Sequence, residues 1–178
     1  MAFDLPGVEP GSDPDQLFKA VGFVVIQWGH AEQTLDLLVT AVFSCYQGHK
    51  LLNHRPTQLK DKINLLRKCF VALPELAPFN NECEDLLSRF KEFSKRRNDI
   101  VHGAIDSLSA ENGVFTFTKI DVPPKQHHKA RKVILDESEF AEYRRALMKL
   151  GADGSSLSRR VWDAIKPKRP QVALNEFT

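Results

Sequence analysis

The chain has 178 residues, of which 42% are hydrophobic and 27% are charged, and its formal net charge at pH 7 is +2. These values are typical of one ordinary globular domain that is large enough for a hydrophobic core. So small a net charge is no evidence for a nucleic-acid partner, and the placement of the basic residues matters more than their sum.

The sequence contains no feature of a secreted or membrane protein. It begins Met-Ala-Phe-Asp-Leu-Pro, without the basic start and apolar run of a signal peptide. No apolar run approaches the roughly 20 residues of a membrane-spanning helix. The three cysteines form neither an even set nor a closely spaced pair of metal ligands: Cys45, Cys69 and Cys83. We therefore expect buried free thiols, a cytoplasmic location and no contact with a membrane.

The first helix is predicted by apolar or small residues that recur in alternating steps of four and three. These residues are Leu17, Val21, Val24, Trp28, Ala31, Leu35, Leu38 and Val42. Such spacing predicts one amphipathic helix with a continuous packing face. We expect it to begin with a capping box formed by Asp13 and Gln16, and to end near residues 47–48.

Two further helices are predicted at about residues 57–71 and 81–102, each with apolar residues along one face. Gly103 is expected to end the second of them, because glycine commonly follows the last helical residue. Between residues 104 and 135, the spacing of the apolar residues is no longer that of a helix. Asn112-Gly113 predicts a hairpin turn, and the strand-forming residues that follow it predict a strand.

Residues 131–135 have the composition of a further short strand, and a last helix is predicted from Asp136, capped by Glu139. Gly151 and Gly154 are expected to interrupt or bend this helix. Together the patterns predict an all-α fold, a helical bundle of four to five helices with a small β-hairpin inserted before the last helix.

The predicted domain organisation has three parts. Residues 1–12 form a flexible N-terminus, and residues 13–166 form a single helical domain. Within that domain, residues 104–135 form the hairpin or loop insertion. Residues 167–178 form a C-terminal tail after Pro167.

The end of the third predicted helix carries the residues best suited to chemistry. Arg97 is followed by the polar Asn98, and His102 comes five residues after the arginine. An arginine can hold a phosphate through two parallel N–H contacts, and a histidine can move a proton near neutral pH. The pair suggests phosphodiester chemistry on RNA without a metal. A chance occurrence of the pair in a plain helical bundle, or capping of the helix end, is the alternative for the same residues.

Arg97 and His102 do not lie on one face of the helix. Five residues correspond to about 140° around the axis of an ideal α-helix. The two side chains can therefore meet on one ligand only beyond the helix end or across an interface with a second copy of the chain.

The segment Arg97-Asn98-x-x-x-His102-Gly103 resembles the signature of the HEPN family (higher eukaryotes and prokaryotes nucleotide-binding). That signature is Arg-x4–6-His near the end of a long helix, commonly with a polar residue directly after the arginine. The segment Trp28-Gly-His-Ala-Glu32 is also similar to HEPN proteins, in which an acidic or polar residue of the first long helix often faces the motif. The resemblance covers about residues 13–165.

The resemblance implies a helical homodimer in which the two motifs face each other. Many family members are metal-independent endoribonucleases, often toxins of defence or toxin–antitoxin systems, and they leave 2′,3′-cyclic phosphate ends. By that resemblance, Arg97 stabilises the phosphorane, His102 transfers protons and Asn98 positions either of them. The resemblance also implies an RNA substrate and a possible antitoxin protein as partners. Other HEPN domains are catalytically silent, so a dimer that binds RNA, a nucleotide or a partner protein is the alternative.

Neighbouring residues supply weaker expectations. Glu32 either pairs with Arg97 or is solvated at the edge of the first helix's packing face. Lys95 and Arg96 precede the motif and are candidates for contacts with RNA phosphates. The histidines of the loops lack the spacing and partners of a metal site, so we expect no metal and no cofactor.

Overall fold

The computed structural model describes residues 14–109, 114–121 and 129–166. The predictions for Asp13, for the Asn112-Gly113 turn and for both chain ends lie outside the described residues. The described chain contains four α-helices: α1 Pro14–Val39, α2 Leu59–Ala72, α3 Asn80–His102 and α4 Glu137–Ile165. The predicted all-α bundle with a small β insertion before the last helix is confirmed. None of these helices is long and apolar enough to cross a membrane.

Helix α1 ends earlier than predicted and passes into one π-helical turn, Thr40–Ser44. The hydroxyl of Thr40 donates to the carbonyl oxygen of Asp36 at 2.7 Å, and this oxygen is the acceptor that a regular helix offers to the N–H of residue 40. The backbone N–H of Cys45 then donates to the carbonyl of Thr40 at 3.2 Å. Because side-chain hydrogen bonds of this kind compete with the backbone ladder, they favour a change of helix type.

The start of α4 confirms the predicted capping box. The backbone N–H of Glu139 donates to Asp136 Oδ1 at 2.8 Å, and the N–H of Asp136 donates to Glu139 Oε2 at 3.2 Å. Two backbone donors at the helix start thereby find acceptors.

The insertion consists of three strands, β1 Ala104–Ser109, β2 Val114–Asp121 and β3 Lys129–Asp136. They form an antiparallel sheet in the order β1-β2-β3. The predicted further short strand is therefore present, and it is longer than residues 131–135. In the register of β2 and β3, Lys119 lies directly opposite Arg131.

The chain divides into two compact units. Unit 1 comprises the described residues of 1–29 and 92–149, and unit 2 those of 30–91 and 150–178. In unit 1, Phe115 and Phe140 pack edge to face at 5.1 Å between ring centroids. Phe93 and Tyr143 pack in the same way at 5.8 Å. The prediction of one domain at 13–166 stays a prediction.

Gly151 and Gly154 do not interrupt the last helix, so that part of the prediction is wrong: α4 runs without a break through both. A Cβ at Gly151 would lie 2.7 Å from His30 Nδ1, and a Cβ at Gly154 would overlap Thr34 Oγ1. Within unit 2, the two glycines therefore allow close approach of α4 to α1. Ser158 extends this contact, because its hydroxyl donates to the carbonyl of Thr34 at 3.2 Å.

The cysteines among the described residues are free thiols, as predicted, and two of them are buried in unit 2. Burial raises the pKa of the Cys69 thiol to about 11 and that of the Cys83 thiol to about 12. Cys45 is only half-buried. The two buried thiols are therefore protonated at neutral pH and act as small apolar residues of the core.

Candidate active site at the end of helix α3

Arg97 is held in unit 1 by two neutral neighbours. Its Nη1 donates to Asn98 Oδ1 at 2.7 Å, and its guanidinium lies over the ring of Trp28 at 5.7 Å from the centroid. Trp28 is buried, with 3% of its surface exposed, whereas Arg97 is half-buried. A cation over an indole face is stabilised by about 0.5–2 kcal/mol, depending on how far water is excluded. These contacts orient the guanidinium without neutralising its charge.

His102 is the last residue of α3, and its side chain is exposed. It follows Arg97 by about 7.5 Å along the axis and about 140° around it. The structure therefore brings Arg97 and Asn98 together and places His102 at the end of the same helix. Convergence of Arg97 and His102 on one ligand stays a prediction.

Arg96 and Lys95 differ in their surroundings. The guanidinium of Arg96 lies over the ring of Tyr143 at 5.3 Å and reaches Glu139 at 3.5 Å, whereas Lys95 is exposed. The carboxylate of Glu139 offsets part of the charge of Arg96. Of the two predicted RNA contacts, Lys95 is thus the more available, and the role of both stays a prediction.

Tyr143 anchors this part of α3. Its hydroxyl donates to the carbonyl oxygen of Phe93 at 2.8 Å, and burial raises the pKa of this hydroxyl above its ordinary range. Phe93, four residues before Arg97 on α3, is half-buried, while Trp28 and Phe90 are buried.

Asp99 is a feature that the sequence analysis missed. Its side chain is 16% exposed, and its carboxylate accepts hydrogen bonds from Lys119 Nζ and from Arg131 Nη1, both at 3.0 Å. Partial burial raises the pKa of this carboxyl, but the hydrogen bonds from Arg131 and Lys119 outweigh the burial, and the pKa lies below its ordinary value. We call this group the Asp99 cluster. It joins the Arg97–His102 segment to strands β2 and β3.

Gly103 ends α3 as predicted, but the reason is space around the backbone. A Cβ at this position would lie 2.5 Å from the carbonyl oxygen of Asp99 and 2.9 Å from the Cβ of Phe117 on β2. Phe117 is 1% exposed. The last turn of α3 therefore packs on the sheet so closely that only glycine fits between them.

Glu32 lies on α1 in unit 2 and is half-buried. Arg97 belongs to unit 1, and the predicted pair between the two stays a prediction.

Comparisons with known proteins add no relative. No family model, no curated protein and no solved structure matches the chain. The resemblance to HEPN proteins therefore stays an expectation that rests on the residues of the motif. Across the described ranges, no group of three or more His, Cys, Asp or Glu side chains is arranged to hold a metal ion.

Proposed function

We propose that the chain is an endoribonuclease of the HEPN type, which cleaves RNA without a metal by attack of a ribose 2′-hydroxyl on the adjacent phosphate. The observation that carries the proposal is the state of Arg97. Its guanidinium is half-buried and oriented by two neutral partners, Asn98 and Trp28, and the exposed His102 ends the same helix.

Arg97 would bind the scissile phosphate. A guanidinium can donate two parallel hydrogen bonds to phosphate oxygens, and these contacts strengthen as negative charge builds on the phosphorane. Because Asn98 and Trp28 already restrict its motion, little side-chain freedom is lost when RNA binds. Arg97 would thus act mainly on the transition state.

His102 would transfer the protons. The 2′-oxygen loses its proton as it bonds to phosphorus, and the 5′-oxygen gains a proton as the P–O5′ bond breaks. The products are a 2′,3′-cyclic phosphate and a free 5′-hydroxyl. One imidazole can serve both steps only if it changes protonation state between them, whereas two copies of the chain supply one imidazole for each step.

A homodimer belongs to the proposal for this reason and for one of geometry. The directions of Arg97 and His102 differ by about 140° on one helix. A two-fold arrangement that places the ends of two α3 helices together would allow Arg97 of one copy to act with His102 of the other. The biological role as a toxin or defence component in the cytoplasm, with an antitoxin as partner, is the setting that the family resemblance suggests.

The test is cleavage of single-stranded RNA by the purified chain in excess chelator. We expect cleavage with cyclic phosphate ends, and we expect Arg97→Ala and His102→Ala each to lower the rate by about 10²–10⁴-fold. Matched controls are Arg145→Ala, an exposed arginine on α4, and His49→Ala, an exposed histidine before α2. Both controls should cleave as wild type does.

If the wild-type chain leaves varied RNAs uncut, or if both site variants cut as well as wild type, the enzymatic proposal is wrong. RNA binding that depends on Arg97 without any cleavage would favour the alternative, a silent binding dimer. Filter binding of labelled RNA to wild type and to Arg97→Ala distinguishes that case.

A further inference from the structure

We infer that Asp99 is a positioning residue, which fixes the last turn of α3 through Lys119 and Arg131 and so sets the direction of Arg97 and His102. This inference deepens the proposed function and rests on it for its kinetic consequence. Its structural consequence can be measured without any activity.

The Asp99 cluster contacts α3 on the side of the helix opposite to Arg97. Asp99 lies two residues after Arg97, which corresponds to about 200° around an ideal helix, so the two side chains leave α3 in nearly opposite directions. Trp28 contacts one of them, and the sheet holds the other. Contacts on two opposite sides restrict rotation of the helix end about its own axis. A change at Asp99 should therefore alter the direction of Arg97.

The charges explain why the carboxylate is needed. Lys119 and Arg131 lie directly opposite each other on β2 and β3, and like charges in that position repel. Asp99 accepts hydrogen bonds from both, at 3.0 Å each, and so offsets the repulsion while it draws the two strands towards α3. The sheet and the helix end thereby share one ionic contact.

His102 is coupled to the same cluster by the backbone. It lies three residues after Asp99, on nearly the same side of the helix, and Gly103 alone separates it from β1. The carbonyl of Asp99 and the Cβ of Phe117 enclose Gly103. The helix end that carries His102 has little space in which to shift while Asp99 remains bound.

The kinetic test uses Asp99→Asn, which keeps the shape of the side chain and removes its charge. We expect kcat to fall between about tenfold and about a hundredfold with KM nearly unchanged, since small misplacements of catalytic groups cost rates of this order. Asp99→Glu keeps the negative charge, so its kcat should lie between that of Asp99→Asn and that of wild type. The matched control is Glu84→Gln, which breaks an ion pair of Arg67 on α2 with a different part of α3. It should leave kcat unchanged.

The structural test uses NMR signals of the Arg97 side-chain N–H and the His102 imidazole. We expect Asp99→Asn to shift or broaden both, whereas Glu84→Gln leaves both in place. If Asp99→Asn does not fold, Arg131→Gln and Lys119→Met replace it, because each removes one of the two donors. Unchanged signals in the folded variants, or wild-type kcat in Asp99→Asn, would overturn the inference.

The two proposals can fail separately. A wild-type chain that cuts no RNA contradicts the proposed function, while the NMR signals still decide the role of Asp99. An active wild-type chain whose Asp99→Asn variant keeps its signals and its kcat contradicts the positioning role alone.

Discussion

At the scale of single residues, the geometry of the arginine is the feature on which the proposed phosphate chemistry depends. Arg97 has a flat guanidinium that can contact Trp28 through its face and a phosphate through its edge. Lysine has a point charge and no face of this kind. We therefore expect that a positive charge at position 97 is not sufficient for the proposed cleavage.

The first prediction follows from this difference. Arg97→Lys should keep the positive charge and yet recover no more than about a tenth of the wild-type kcat/KM, since it cannot donate in two parallel directions. The measurement is the rate of RNA cleavage at constant ionic strength, with Arg145→Lys as the control. Full activity in Arg97→Lys would mean that charge alone suffices.

The second prediction concerns the stability of the fold at acid pH, where the carboxylate of Asp99 becomes protonated. The pKa of Asp99 is lower in the folded chain than in the unfolded chain. The ionised carboxylate therefore stabilises the fold at pH values above the pKa of the unfolded chain. This stabilisation is lost as the pH falls through the pKa of the folded chain. We expect the loss below about pH 4, with a size of about 1 kcal/mol for this partly exposed cluster.

Urea unfolding between about pH 3 and about pH 7 measures this effect. Asp99→Asn should unfold more easily than wild type at neutral pH, and the difference should shrink towards acid pH. If the difference in the free energy of unfolding between wild type and Asp99→Asn stays constant across this pH range, the ionised carboxylate is not the source of the stabilisation.

At the scale of elements, the junction between α3 and β1 depends on the absence of a side chain. The Cβ of an alanine at Gly103 would meet the backbone of Asp99 and the side chain of Phe117. Gly22 of α1 provides the contrast, because a Cβ there would meet nothing within 4 Å.

The third prediction compares these two glycines. Gly103→Ala should lower the free energy of unfolding by about 1–3 kcal/mol, as overpacking does. Gly22→Ala should raise it by about 0.5–1 kcal/mol, because alanine is the better helix former. Denaturant unfolding of both variants gives the comparison. Equal effects of the two substitutions would contradict the close packing at Gly103.

The elements also show what could be predicted from the sequence. The capping box of α4 follows from local backbone chemistry, in which an Asp-x-x-Glu sequence acts on its own neighbours. The glycine at position 103 predicted where α3 ends, but the packing of this glycine against Phe117 could not be read from the sequence. The unbroken course of α4 through Gly151 and Gly154 could not be predicted, because the role of these glycines depends on the approach of α1 and not on their own helix.

The Asp99 cluster could not be predicted for a similar reason. Alternation along a strand tells which residues share a face, but the pairing of Lys119 with Arg131 depends on the register of two strands. A shift of that register by one residue would place one of the two cations on the opposite face of the sheet. The residues of the motif itself were recognised because they are close in sequence.

At the scale of the whole molecule, the proposed mechanism depends on how many copies of the chain form one site. The fourth prediction is a homodimer at tens of micromolar, a concentration at which interfaces of modest affinity are populated. One chain has a mass of 20.2 kDa, and sedimentation equilibrium should give twice that mass. A strict monomer at these concentrations would mean that Arg97 of one copy cannot act with His102 of another.

The direct connection from α3 to β1 has a consequence for motion. A single residue, Gly103, separates the helix from the strand, so no loop can absorb a displacement of either element. Opening of the strand should therefore unwind the last helical turn in the same event. In native-state hydrogen exchange, the amides of Ile100 and Ala104 should then exchange with one common free energy of opening. His102 would be displaced from the end of α3 whenever strand β1 opens.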